Sequence, residues 1–153
     1  MKRELLKRKI LKVICGMKLA SLATIKDKKP WVRFVVSCND GLTLYISTYA
    51  SSRKVRQIDR NPSVHVTIGG SLENLKASYV QIAGCASIRN DARIRRKCWH
   101  NYMKQYYSGP DDPEYVVIEV KPQIIEYMDS ETHKPIIYGI GKYALTDTSK
   151  ILS

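Results

Sequence analysis

Residues 31–48 constrain the fold more than any other stretch of the chain. They read WVRFVVSC, NDG and LTLYIST in succession. Asn-Asp-Gly is hairpin-turn chemistry, because these residues tolerate the left-handed backbone of a tight turn. The runs on either side alternate with a period of two, as half-buried strands do. In the first, Val32, Phe34 and Val36 share one face and Arg33, Val35 and Ser37 the other. In the second, Leu42, Leu44 and Ile46 are expected inward, and Thr43, Tyr45 and Ser47 outward. A hairpin this regular commits the chain to an antiparallel sheet.

The rest of the sequence extends the pattern. KRELLKRKILKVICGM places Leu6, Ile10, Val13, Ile14 and Met17 on one side of an amphipathic helix that ends near Gly16. KLASLATIK reads as a strand broken by DKKP. A short helix follows the hairpin and stops before Pro62, and SVHVTIGG is the next strand. His65 falls on its polar face. SYVQIAGCASIR is a long strand with Gly84 inside it, the mark of a bulge or bend. DARIRRKCWHNYMKQYY is expected as a third helix capped by Asp91. EYVVIEV and QIIEYMD, divided by Pro122, give one or two last strands. Residues 130–153 carry weak signals and read as a loose C-terminal extension of a single domain spanning 1–129. The expected class is mainly β, with accessory helices on a sheet long enough to curl or close.

Charge comes next, because the net +12 over 153 residues is unevenly placed. Residues 1–18 hold seven Lys/Arg against one Glu, and residues 89–104 hold six against one Asp. Such patches suit nucleic acid or an acidic surface. They equally suit amphipathic helices with solvated outer faces. Trp99, Tyr102, Tyr106 and Tyr107 leave the same choice open, between stacking on a flat ligand and packing on the sheet. Cys15, Cys38, Cys85 and Cys98 form no Cys-x-x-Cys pair, no signal peptide is visible, and no apolar run is long enough to span a membrane. Reduced thiols in a cytoplasmic protein are the expectation.

Standard catalytic signatures are missing from the sequence. GIGKYA (Gly139, Gly141, Ala144) fits a dinucleotide pattern only formally, with no room for a strand–helix–strand unit. Cys85, Cys98 and His100 match no common zinc spacing, so no metal is expected. Asp111-Asp112 sits beside two prolines and reads as a turn. One feature does call for a ligand. SSRKVRQIDRNPSVHV begins a helix with Ser52, Arg53 and Lys54, although cations are disfavoured at the positive end of the helix dipole. Free N–H groups, two cations and the nearby hydroxyls of Ser47 and Thr48 would suit a phosphate. A capped surface helix is the plainer alternative. Arg33, inside an apolar strand, either reaches the same anion or lies on an exposed face.

LATIKDKKPWVRFVV, LYISTYASSRKVRQIDRNPSVHV, YVQIAGCASI and CWHNYMKQYYSGPDDPEYVVIEVKPQIIEYMD occur in this order. The series resembles the pyridoxamine 5'-phosphate oxidase-like FMN-binding split barrels, closest to their general-stress-protein branch. The resemblance implies a six-stranded antiparallel barrel that forms a homodimer, with FMN between the subunits. It implies that Arg33 and the backbone of Phe34 and Val35 lie along the flavin. It puts Ser47 and Thr48 near the ribityl phosphate, and Ser52, Arg53 and Lys54 around the phosphate itself. Tyr79 or Gln81 falls where the family places a polar group near the ring. Cys38 stands where the oxidases carry a substrate-binding Lys, and their C-terminal Trp and Arg are absent, so vitamin B6 chemistry is not expected. The implied activity is a flavin-dependent oxidoreductase acting on a small molecule, with reduced nicotinamide a possible donor and its catalytic residues unassigned. The alternatives are a non-catalytic binder of flavin, a haem or deazaflavin protein, and a basic nucleic-acid-binding protein.

Overall fold

The computed structural model describes residues 1–144. Helix α1 (Arg3–Ile14) precedes strands β1 (Lys18–Lys26), β2 (Lys29–Asp40) and β3 (Thr43–Tyr49). Helix α2 (Arg53–Arg60) leads to β4 (Ser63–Gly69) and β5 (Tyr79–Arg89). Then come α3 (Ala92–Lys97), a 3-10 turn over Asn101–Gln105, β6 (Tyr115–Met128) and β7 (Pro135–Gly139). The sheet order is β3-β2-β1-β4-β5-β6-β7, and β3 also pairs with β6. That second pairing closes β1–β6 into a six-stranded antiparallel barrel. The barrel is filled by apolar residues from every strand, among them Leu22, Leu44, Ile46, Val66, Ile82, Ile118, Val120 and Ile125. Leu6, Ile10 and Ile14 of α1 join this core. Among the described residues, no helix is long and apolar enough to cross a membrane.

Two hairpins behave as the turn residues dictate. Gly41 takes a positive φ of 57° between β2 and β3. Asp27 and Lys28 both take positive φ, 50° and 63°, in the two-residue β1–β2 turn. This is the backbone that continues the right-handed twist of the flanking strands. Gly84 marks a bulge, because the β5–β6 register shifts between Ala83 and Gly84. A Cβ at Gly84 would stand 2.8 Å from the Lys121 carbonyl oxygen, so glycine fits here for want of space. Pro122 lies opposite Gly84 in this irregular stretch, where a strand tolerates a residue with no N–H. The last strands are therefore one continuous β6.

Several expectations need correction. The segment after Asp91 is not one helix. Asp91 does cap α3, accepting from the Ile94 N–H, but the helix ends at Lys97. The backbone turns extended at His100 before the 3-10 turn begins. The break lets Trp99 and Tyr107 approach the buried ring of Tyr115, with centroids 5.5 and 5.1 Å away. Packing outweighs helix propensity there. Tyr45 is not outward to solvent but buried, because this second apolar cluster, with Ile94, Cys98 and Met103, covers the outer side of β3 and β6. Met17 is exposed rather than part of the α1 core face. Within the expected extension, β7 (Pro135–Gly139) pairs with the second half of β6. Residues 145–153, also in the expected extension, lie outside the described residues. Gly139 ends β7 and Gly141 opens a 3-10 turn, so GIGKYA starts no nucleotide-binding helix.

Candidate functional site

The barrel is split between β2 and β3. Their ladder pairs only Ser37–Asp40 with Thr43–Ile46. Beyond it β3 turns to β6, pairing Ser47, Thr48 and Tyr49 with Val117, Val116 and Tyr115. From Lys29 to Val36 the β2 edge nearest β3 is left without a strand partner among the described residues, while its other edge stays on β1. Unpaired backbone donors and acceptors therefore remain along this edge, and buried ones need a partner.

Helix α2 meets β2 near this edge, where Arg33 bonds to Gln57. Ser52 holds the N-cap position with extended φ and ψ, but its side chain makes no cap hydrogen bond. The first turn carries no acidic residue. Lys54 Nζ instead folds back and donates to Thr48 Oγ1 over 2.9 Å, and Thr48 Oγ1 lies 3.4 Å from Ser52 Oγ. Arg33 reaches α2 from β2. Its Nη1 donates to Thr24 Oγ1 at 2.7 Å and its Nη2 to Gln57 Oε1 at 2.8 Å. Thr24 also donates to Gln57 Oε1. Thr24 and Gln57 are both buried, so the guanidinium is oriented by a fixed frame.

Electrostatics single this corner out. Burial, then repulsion from Arg33 and Arg53, lowers the proton affinity of Lys54. Burial, then Arg53, does the same for Arg33. Among the described residues none of the three forms an ion pair with a carboxylate. Three cations gathered without a counter-charge are unfavourable unless an anion joins them. Next to them, a cleft of about 560 Å³ between the β1–β2 turn and α2 is lined by Lys26, Lys28, Arg53, Arg56 and Arg60, with Asp27 as its one acid. No metal-binding cluster of His, Cys, Asp or Glu occurs among the described residues.

The structure thus brings together Arg33, Thr48, Ser52 and Lys54, with Arg53 close enough to repel two of them. Ser47 does not join this group: its side chain lies on the other face of β3 from that of Thr48, with its Oγ 3.4 Å from the Tyr115 hydroxyl, among Cys38, Cys98 and His100. Val35 points into the barrel, while the Phe34 side chain is 78% exposed on the outside. Gln81 is not part of the cationic corner. It shares the outer face with Phe34, connected through the pairings Phe34–Ser21, Ser21–Thr67 and Thr67–Gln81. Tyr79 lies two residues away on the same strand face, opposite Met128. Thr24 and Gln57 escaped the sequence reading. The available signal was a glutamine on the buried side of α2, between Val55 and Ile58. The third-helix aromatics divide between both readings: Tyr107 is buried, whereas Tyr102 and Tyr106 stay exposed.

A closed six-stranded antiparallel barrel, split at one seam and carrying a cationic corner beside the split, defines the class as a split barrel. A family model described as Pyridoxamine 5'-phosphate oxidase matches residues 6–129, and the chain belongs to that family. It is 35% identical over 136 residues to General stress protein 26 of Bacillus subtilis (strain 168), covering 89% of this chain and 97% of that one. The crystal structure of General Stress Protein 26 from Bacillus anthracis str. Sterne superposes with a TM-score of 0.77 at 32% identity, over 88% of this chain and 98% of the other. A Clostridium acetobutylicum protein related to general stress protein 26 superposes with a TM-score of 0.72 over 92% and 97% of the two chains. At 18% identity, that likeness speaks for the fold alone.

Proposed function

We propose that this chain is an FMN-binding flavoprotein that acts as a homodimer and catalyses oxidoreduction of a small molecule. The single observation that carries the reading is the convergence of Arg33, Arg53 and Lys54 without a carboxylate among the described residues. A phosphate monoester carries nearly two negative charges at neutral pH and strong acceptor oxygens. It would offset the mutual repulsion of the three cations and accept from the uncapped first turn of α2. Ser52 and Thr48 add hydroxyls at the same point.

The residues fit the rest of the cofactor as well. The unpaired β2 edge at Arg33–Val35 offers backbone hydrogen bonds to a planar polar ring. Outside the barrel, Leu19, Val32, Phe34 and Val36 form one exposed apolar face, with Leu19 opposite Val36. Such a face favours a second copy of the chain. Pairing these faces would bring Tyr79 and Gln81 of each copy to the subunit boundary, where they would supply polar contacts to the ring. When bound, FMN supplies hydride chemistry at its N5 atom, which no side chain can provide. The chain's own residues bind the phosphate, orient the ring and shield it from water. Cys38 offers no positive charge for a phosphorylated substrate, which favours an activity other than pyridoxamine-phosphate oxidation. The four free cysteines suit a reducing, cytoplasmic setting.

The test is the visible spectrum of the purified protein, followed by the mass of any released cofactor. A yellow protein releasing FMN is expected. The double variant Arg53→Ala/Lys54→Ala is expected to lose the cofactor while keeping its fold by circular dichroism. A colourless protein that takes up no added FMN would overturn the reading. Full FMN retention by the double variant would overturn the site. Consumption of reduced nicotinamide in a screen of small acceptors then tests turnover.

A further inference from the structure

On the opposite side of the β2–β3 hairpin from the cationic corner, two cysteines meet. Cys38 lies near the end of β2, opposite Tyr45. Cys98 is the C-cap of α3 and is buried in the second apolar cluster, against which Cys38 packs. The two thiols act on each other's proton affinity, and the His100 ring acts on that of Cys38 as well. Cys38, Cys98 and His100, with Ser37, Ser47 and Tyr102, line a small cavity of about 10 Å³, room for about one water-sized molecule. Cys38 is half-buried at this cavity, while Cys98 is inaccessible from solvent. One thiol is thus reachable and the other stands behind it.

We propose that Cys38 and Cys98 are a dithiol–disulfide pair that reduces small hydroperoxides, with Cys38 attacking and Cys98 resolving. The inference goes beyond flavin binding and does not depend on it. The Cys38 thiolate attacks one peroxide oxygen. The O–O bond breaks, an S–O bond forms, and the departing oxygen takes a proton from solvent to leave as water or an alcohol. Cys38 is now a sulfenic acid. The Cys98 sulfur then attacks the Cys38 sulfur. An S–S bond forms, the S–O bond breaks, and the hydroxyl leaves as water with the Cys98 proton. The peroxide gains two electrons, one from each thiol. Exchange with an external dithiol returns the pair to its reduced form.

The surroundings favour attack by Cys38. Cys98 and His100, and the charge of Lys97, lower its pKa to about 6 against the opposing effect of burial. Lys97 is itself paired with Asp40, and Tyr102 also faces the thiol. Cys98 moves the other way, pushed up by Cys38 and by burial. A thiolate beside a protonated thiol is the starting state the two steps require. Cys15 and Cys85 provide internal controls, since both are exposed and more accessible than either member of the pair.

The test treats the fully reduced wild-type protein with substoichiometric hydrogen peroxide at pH 7, alkylates the remaining thiols and maps peptides by mass. The expected result is a linked Cys38–Cys98 peptide, two thiols lost and Cys15 and Cys85 still alkylated. In Cys98→Ser, Cys38 should instead accumulate as a sulfenic acid that dimedone captures. Oxidation of Cys15 or Cys85 ahead of Cys38, or oxidation of Cys38 with no link to Cys98, would overturn the proposal. The wild-type map decides the matter even if Cys98→Ser fails to fold. The outcome is independent of whether the protein carries flavin, since both oxidation results are read on the thiols alone.

Discussion

Arg33 and Gln57 join β2 to α2 through one hydrogen bond, Nη2 donating to Oε1 over 2.8 Å. The same oxygen accepts from Thr24, so one buried glutamine positions both a strand hydroxyl and the guanidinium of the candidate phosphate site. Replacing it with leucine keeps the volume and removes the acceptor. Gln57→Leu should cost about 1–3 kcal/mol, the usual penalty for buried polar groups left unpaired. Urea unfolding measures that loss as a lower midpoint at unchanged slope. FMN titration of the same variant should show weaker binding, because Arg33 loses its anchor. An unchanged midpoint would mean that water replaces the glutamine at no cost.

The exposed face of β1 and β2 makes a separate prediction. Phe34 is 78% exposed and has apolar neighbours at Val32, Val36 and Leu19. Burying such a side chain between protomers contributes about 1.5–3 kcal/mol per copy. Phe34→Glu would put two like charges into that interface. Sedimentation velocity should find the wild type dimeric and the variant shifted to monomer at micromolar concentration. Its circular dichroism should match the wild type, since Phe34 contributes nothing to the barrel interior.

The barrel and part of this site were legible in the sequence for physical reasons. Period-two alternation in WVRFVVSC, punctuated by Asn-Asp-Gly, already specifies paired antiparallel strands, and Gly84 announced its bulge. Arg53 and Lys54 stood out because cations oppose the dipole at a helix start. Thr24 and Gln57 did not, because their role depends on where β1 and α2 meet, and no local pattern encodes that meeting. The broken third helix was hidden for a similar reason. ARIRRKCWHNYMKQYY has helical composition, and only Tyr115 on a later strand draws Trp99 and Tyr107 out of a continuous helix. Tyr45 looked outward by alternation because the cluster that covers it comes from residues 94–107. The contact between Cys38 and Cys98 joins residues from different elements, so spacing alone could not reveal it.

Lys54 should make stability depend on pH and on anions. Its folded-state pKa is lowered by burial and by Arg33 and Arg53. The charged form is therefore disfavoured by folding. That penalty is fully present below the folded pKa and disappears as pH rises through it towards the ordinary lysine value of about 10.4. Lys54→Met lacks the penalty, so its stability relative to wild type should fall as pH is raised from 7 to 10.5. FMN at a hundred times its dissociation constant should add about 2.7 kcal/mol to the wild type. The variant should gain much less at the same FMN concentration. Thermal melts across pH, with and without FMN at fixed ionic strength, read both effects.

The thiol pair predicts a pH profile of its own. Cys98 is the largest influence on Cys38, followed by opposing burial and then by His100, and the balance puts its pKa at about 6. Only the thiolate reacts with iodoacetamide. The alkylation rate of Cys38, followed by peptide mass, should rise with pH and reach half its maximum near pH 6. In urea the same residue should respond like an ordinary thiol, with a midpoint near about 8.5. His100→Ala removes one of these influences and should move the folded midpoint upward, whereas a residue that acted only through packing would change the rate without moving the midpoint. A folded midpoint equal to the value in urea would show that Cys98 and His100 do not stabilise the thiolate, and the peroxide chemistry would lose its nucleophile.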